Sequence, residues 1–400
     1  MKAVGVAGVG SVIASSQVLA QSATPEPAAA AAPSASVPQM PLHPFGKTGV
    51  KVPMLGLGGI FDIAANQLVL QRALDFGVTY WDTASGYTNG NSEKGIGMYF
   101  EKNPEVRKRI FLVTKASGPH SPEGLTATLQ ESLQRMKTDH IDLYFLHGIR
   151  GGHELTDEIK GWAEKAKAAN KIRFFGFSTH GGMEGSLQEA ARLGWVDAIM
   201  LKYDYRLMRT DEMRAAMDAC HQAGVGLTAM KTQGGGPFRP NDEADNKLAA
   251  HFIQRGFTPH QAKVKAVWEN PQVACVCSQM SNLNVLESNV AAALDKTKLT
   301  AADHAALKQY AADTRSRFCA GCAQRCEGAL QGAAPVADLM RCLMYHRHYG
   351  DRELALSVFR SLPAETRSKL PVLDFTPAEE ACPHRLPIGD LMRQASRLLG

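Results

Sequence analysis

The sequence predicts an α/β protein: a (β/α)8 TIM barrel carrying a small, mostly helical, cysteine-rich C-terminal module. Three observations carry that expectation. Eight short apolar stretches recur between residues 54 and 280, each ending in small or polar residues. Helix-periodic segments lie between them, as in chains that wind strand and helix around a parallel sheet. The cysteines are uneven: of eight, five (Cys319, Cys322, Cys326, Cys342, Cys382) fall in the last 82 residues, where even spacing predicts about 1.6.

The expected domains are an export-like segment at 1–20, an Ala/Pro-rich linker at 21–40, the barrel at 41–300 and the C-terminal extension at 301–400. Lys2 precedes an uncharged stretch that ends Val18-Leu19-Ala20, small residues where a signal peptidase reads. The stretch is only mildly hydrophobic and holds Gly5, Gly8 and Gly10, too weak for a membrane span of about 20 strongly apolar residues. It resembles a twin-arginine export signal without the paired arginines. Seven Ala and four Pro among residues 23–40 read as an unpacked linker. No second apolar stretch of that length follows, so no stable membrane span is expected. A net charge of +5 with no basic run points to neither nucleic acid nor an anionic membrane.

The barrel strands are expected at 54–58, 79–83, 110–115, 141–147, 172–178, 197–203, 226–231 and 273–278. Several are nearly continuous apolar runs, as parallel strands buried on both faces are. Between them, Leu125, Leu129, Leu133 and Met136 recur at helical spacing, and 211–223 and 283–294 behave alike. Pro122 suits a first helical turn; Gly77, Gly194 and Gly224 suit helix stops. A hairpin at 42–52, turning at Gly46 and Gly49, precedes the first barrel strand. The rival architecture is a doubly wound open sheet. Against it, Gly56-Leu57-Gly58-Gly59 lacks the spacing of a dinucleotide-binding glycine turn.

Catalytic groups in such barrels sit where strands end. Asp82 closes the second strand, Tyr87 follows in a glycine-containing loop, Lys115 closes the third strand and His147 the fourth. Singly, each has an ordinary structural reading; together they would converge on one mouth. Their chemistry suits carbonyl reduction. A phenol titrates near 10, and a lysine cation about 4 Å away contributes roughly 4 kcal/mol, or about 3 pKa units. Tyr87 would then approach neutrality, where general acid catalysis works best. Asp82 would hold Lys115 ionised, and His147 would donate to the substrate oxygen.

Trp81-Asp82-Thr83-Ala84-Ser85-Gly86-Tyr87, the lysine-terminated third strand, Ile141-Asp142-Leu143-Tyr144-Phe145-Leu146-His147 and Lys171-Ile172-Arg173-Phe174-Phe175-Gly176-Phe177-Ser178 together resemble the aldo/keto reductase superfamily, over about residues 41–300. The resemblance implies an Asp82-Tyr87-Lys115-His147 tetrad, a small-molecule carbonyl substrate, and NADP or NAD across the barrel mouth. It also implies cofactor contacts from Asp82, Ser178, Lys231 and Asn289. Thr179 departs from the Asn usual beside Ser178, and Met200 stands where Gln is common in the sixth strand. The glycine-rich run after Lys231 would let backbone approach a pyrophosphate. Residues 278–289 hold no Lys or Arg for a 2′-phosphate, so NAD and NADP both stay open.

Cys319, Cys322 and Cys326 form C-x2-C-x3-C, with Cys382-Pro383 far downstream. Closely spaced thiolates and a remote Cys-Pro suit an iron–sulfur cluster of the 4Fe-4S type, although ferredoxin runs are more compact. The tail resembles the ferredoxin-like extension of one reductase subgroup. Four cysteines also satisfy tetrahedral zinc, and disulfides are a third reading in an exported chain. Cys342 is either an alternative ligand or a buried helix thiol. Cys220, Cys275 and Cys277 read as core.

The leading expectation is therefore an NAD(P)H-dependent carbonyl reductase with an accessory cluster. The second is a nicotinamide- or partner-binding barrel without turnover, with structural zinc. A (β/α)8 hydrolase lacks a metal set or carboxylate pair in the barrel. Export to the periplasm conflicts with a cytoplasmic reductant such as NAD(P)H. Three outcomes resolve it: an unused signal and a cytoplasmic protein, export with cofactor bound, or electrons arriving through the cluster from a partner.

Overall fold

Pleat parity decides which side chains enter the barrel, because successive strand residues point to opposite faces. The computed structural model describes residues 40–236 and 238–400. The export-like segment and nearly all of the linker lie outside the described residues. The strands are β1 (Leu42–Pro44), β2 (Lys51–Pro53), β3 (Leu55–Gly58), β4 (Tyr80–Asp82), β5 (Phe111–Ala116), β6 (Ile141–Ile149), β7 (Ile172–Thr179), β8 (Ala198–Lys202), β9 (Gly226–Met230) and β10 (Val273–Gln279). β3 to β10 run in sequence order and all pair in parallel. β10 returns to β3, with Val276 opposite Leu55, and closes the barrel. The predicted TIM barrel is the observed fold.

Tyr80, Phe111, Val113, Leu143, Phe145, Ala198, Met200 and Cys275 fill the interior, while Trp81, Leu112, Tyr144, Leu146 and Ile199 face the helices. The predicted hairpin is β1 and β2, paired antiparallel. Its Phe45, fully buried, stands edge-on to Tyr80 and Phe111 and plugs the N-terminal end. Gly46 there is at φ +54°, and a Cβ would meet the Gly224 carbonyl at 2.4 Å, so only glycine fits.

The helices follow their local signals. Pro122–Arg135 has Pro at its first position and Ser121 as its cap, accepting the Gly124 N–H. Asp211–Gln222 and Leu283–Leu294 lie within a residue of expectation. Gly77, Gly194 and Gly224 follow helices at φ near +72°, the left-handed stop that glycine favours.

The C-terminal residues form short helices, including Ala323–Ala329, Val336–Met344, Arg352–Ser361 and Ile388–Leu399, with a π-helical turn at Tyr345–Tyr349. Ile388, Met392, Ala395 and Leu399 give the last helix one apolar stripe. That stripe packs with Leu339, Leu343 and Phe359, and the same core takes in Ile60, Ala84 and Tyr87 from the barrel mouth. The module is thus a roof over the C-terminal end of the barrel. No helix among the described residues is long and apolar enough to cross a membrane.

Candidate active site

Parity carries Asp82, Lys115 and His147 inward, each two residues beyond an interior side chain: Tyr80, Val113 and Phe145. The structure brings all four expected tetrad residues together. Lys115 Nζ lies 2.6 Å from Asp82 Oδ2, donates to the Thr83 carbonyl at 2.8 Å, and reaches Tyr87 Oη at 3.5 Å. Lys115 and Asp82 are almost completely buried. The Tyr87 ring meets the His147 ring edge-on at 5.5 Å. Ser117 Oγ holds His147 Nδ1 at 2.7 Å, leaving the other ring nitrogen for a ligand.

The electrostatics differ from the sequence expectation at one point. Burial, with the Asp82 carboxylate behind it, pushes the Tyr87 phenol well above its ordinary range. Lys115 does not bring it toward neutrality, because its charge is already matched by Asp82 at closer range. Tyr87 is therefore a stably protonated donor. Burial also raises the Asp82 carboxyl, against the opposing pull of Lys115. His147 is pushed well below the imidazole range by burial, then by Lys115 and Arg341, and so is neutral.

The expected cofactor residues are more dispersed. Ser178, buried on β7, accepts the Gly148 N–H at 2.9 Å. Thr179 donates to Ile149 and Gly181 carbonyls at 3.0 Å, so its hydroxyl is committed to backbone. Met200 belongs to the interior core. Asn289 Nδ2 donates to Ser278 Oγ at 3.1 Å. Lys231, at φ +58°, donates to Tyr349 Oη at 2.8 Å, and burial pushes its ammonium down.

Several residues at the mouth were not singled out from sequence. Lys202 ends β8 two residues past interior Met200, so the same parity rule finds it. Arg341, Tyr345 and Tyr349 come from the roof segment Val336–Tyr349, where sequence alone drew attention only to Cys342. Arg341 Nη1 donates to His180 Nδ1 at 3.1 Å, and its charge is felt by His147.

Cys319, Cys322, Cys326 and Cys382 line one small cavity together with Pro383 and His384. All eight cysteines are free thiols, so the disulfide reading is not what the structure contains. Burial pushes Cys322 up to about 11 and Cys326 up to about 12. Among the described residues, no group of three or more His, Cys, Asp or Glu side chains is arranged to hold a metal ion. Cys342 is fully buried in the roof core and does not line that cavity. Cys220, Cys275 and Cys277 are core thiols, as expected.

The aldo/keto reductase family model matches residues 59–312, well over half of the chain. The chain is 30% identical over 205 residues to "Aldo-keto reductase yakc [NADP(+)]" of Schizosaccharomyces pombe, covering 46% of this chain and 59% of that protein. It is 24% identical over 290 residues to L-galactose dehydrogenase of Arabidopsis thaliana, covering 64% and 89%. Among solved structures, aldo-keto reductase AKR11C1 from Bacillus halodurans superposes with a TM-score of 0.57 at 22% identity, covering 68% of this chain and 96% of that one. The matched family region stops at residue 312, short of the four clustered cysteines. On the family match, the chain belongs to the aldo/keto reductase family of oxidoreductase enzymes.

Proposed function

We propose that this protein reduces an aldehyde or ketone to an alcohol with a nicotinamide cofactor, through Asp82, Tyr87, Lys115 and His147. The observation that carries the reading is the buried Lys115–Asp82 pair with the Tyr87 hydroxyl 3.5 Å from the same ammonium. When bound, the nicotinamide supplies the hydride equivalent that reduces the carbonyl carbon. Tyr87, held protonated by burial, delivers the proton to the carbonyl oxygen. Lys115 stabilises the phenolate left behind, and Asp82 keeps Lys115 charged. Neutral His147, oriented through Nδ1 by Ser117, donates to the same oxygen and polarises it. Ser178 and Lys231 are assigned to the cofactor, and the bracketed NADP(+) in the fission-yeast relative's name favours NADP over NAD.

The four cysteines are assigned to a 4Fe-4S-type cluster. A single zinc would need four thiolates about 2.3 Å from one point. A cubane takes one thiolate at each of four irons, and the C-x2-C-x3-C spacing with Cys382-Pro383, all four thiols lining this one cavity, is what supports the cluster. Cys319 lines both this cavity and a second one, of about 420 Å³, between the loop after β9 and the roof, and this proximity supports a redox role for the cluster. Export to the periplasm is proposed on the pattern of residues 1–20 alone. A second reading, a nicotinamide-binding barrel without turnover, is favoured by one observation: Tyr349 occupies Lys231. Anaerobic purification, nicotinamide titration and a panel of aldehydes and ketones test both. Cofactor oxidation with any carbonyl supports the reductase; tight cofactor binding with no turnover supports the second reading.

A further inference from the structure

The Gly56-Leu57-Gly58 stretch of β3 is bare on its inner face. Leu55 and Leu57 belong to the core beneath the helices, so strand alternation turns Gly56 and Gly58 into the barrel. A Cβ on Gly56 would meet the Tyr80 ring at 2.8 Å and Cys275 Sγ at 3.0 Å. With no side chain between them, residues of β4 and β10 thus meet across β3. The same relation recurs one step nearer the mouth. Asp82 pairs with Gly58, and Cys277 follows two residues after Cys275 on the same inner face of β10. A Cβ on Gly58 would come within 3.0 Å of the Ser278 backbone, so no side chain fits there either. Cys277 and Asp82 therefore face each other over a glycine.

Asp82 has an oxygen to offer. Its Oδ2 takes Lys115 at 2.6 Å, whereas Oδ1 is buried with no hydrogen-bond partner among the described residues. A turn of the Cys277 side chain about its Cα–Cβ bond aims the S–H at that oxygen. Burial raises the Asp82 carboxyl, and Lys115 from β5, then the Cys277 thiol from β10, then Lys231 after β9 oppose it. Tyr80 and Tyr87 face it from its own strand and the turn that follows. Burial, then the Asp82 charge, pushes the Cys277 thiol well above its ordinary range. At neutral pH it is an S–H donor and not a nucleophilic thiolate.

We propose that Cys277 is a positioning residue that donates its S–H to Asp82 Oδ1, holding the carboxylate ionised and turned toward Lys115; its part in turnover rests on the reductase reading above.

Two measurements on the full chain test this, and the first needs no turnover. The Raman S–H band of Cys277 is isolated as the difference between wild type and Cys277→Ser. Both are recorded without nicotinamide, so no contact of Asp82 with a cofactor contributes. The band is expected at lower frequency than that of Cys275, isolated in the same way, because donation to a carboxylate weakens the S–H bond. A Cys277 band at the Cys275 position overturns the proposal. The second measurement is the pH profile of kcat at saturating cofactor. Cys277→Ala is expected to move the acid limb up by about half to one pH unit, since losing a donor raises Asp82. Cys277→Ser, whose hydroxyl donates, is expected to bring the limb back. A limb that does not move, or moves equally in both variants, overturns the role in turnover. Should Cys277→Ala not fold, the Raman difference, which needs only the serine variants, decides the contact. Should the wild type reduce no carbonyl, the reductase reading fails and the same band decides the contact by itself.

Discussion

Lys231 donates a hydrogen bond to the Tyr349 hydroxyl at 2.8 Å, tying the loop after β9 to the roof 118 residues away. The same ammonium lies 4.4 Å from the centre of the Tyr349 ring and 5.1 Å from that of Tyr345. A residue expected to hold the cofactor is thus already engaged by the C-terminal module. A ligand for Lys231 has to compete with a phenol.

Tyr349→Phe should therefore tighten cofactor binding. Removing a hydrogen bond worth about 0.5–1.5 kcal/mol from the competing state lowers the dissociation constant by roughly twofold to thirteenfold. Fluorescence titration with NADPH and NADH measures it. An unchanged constant would remove Lys231 from the cofactor site.

Tyr87→Phe should lower kcat for carbonyl reduction by about 10²–10⁴-fold, the usual worth of a positioned proton donor. Cofactor affinity should stay nearly as it is, since the phenol faces the tetrad. Wild-type turnover in this variant would take the proton-donor role from Tyr87.

Acid should destabilise the fold through two half-buried histidines at the barrel mouth. His180 is pushed well below the imidazole range by burial, then by Arg341 and Lys231, and His147 by burial, then by Lys115 and Arg341. Both regain an ordinary value near 6.5 on unfolding. As pH falls below about 6.5 the unfolded chain binds protons that the folded chain refuses, so stability drops; above that value it is fully retained. Differential scanning calorimetry should show a steady Tm from about pH 8 to 7 and a decline below about 6.5. The decline should be shallower in His180→Gln, and an equal slope in both proteins would speak against this origin.

Metal content should separate the five C-terminal cysteines. Anaerobically purified protein should contain iron and acid-labile sulfide and absorb broadly in the visible. Cys382→Ala should lose both, whereas Cys342→Ala, whose thiol is buried in the roof core, should keep them. Stoichiometric zinc without visible absorption would return the site to the zinc alternative.

All eight barrel strands were legible because each is a short apolar run closed by small or polar residues. Asp82, Lys115 and His147 were legible from the strands too, since a side chain two residues past an interior position points into the mouth, whereas Tyr87 sits in the turn after β4. Lys202 obeys that rule and was passed over, because one lysine at a strand end is usually solvated. Arg341 and Tyr349 were not legible at all: nothing in Met340-Arg341-Cys342-Leu343-Met344-Tyr345 says which surface the helix will cover. Cys342 drew attention by residue type, yet it packs with Leu339 and Phe359.

The sequence by itself determined the barrel, the inward direction of Asp82, Lys115 and His147, and the cysteine enrichment of the tail. Those follow from local periodicity, which a chain carries in its own order. Only the tertiary structure decided that the tail roofs the mouth, that Lys231 is engaged by Tyr349, and that Tyr87 stays protonated. Burial and counter-charge come from residues distant in the chain, and a phenol beside a lysine behaves differently once Asp82 has neutralised that lysine and water is gone.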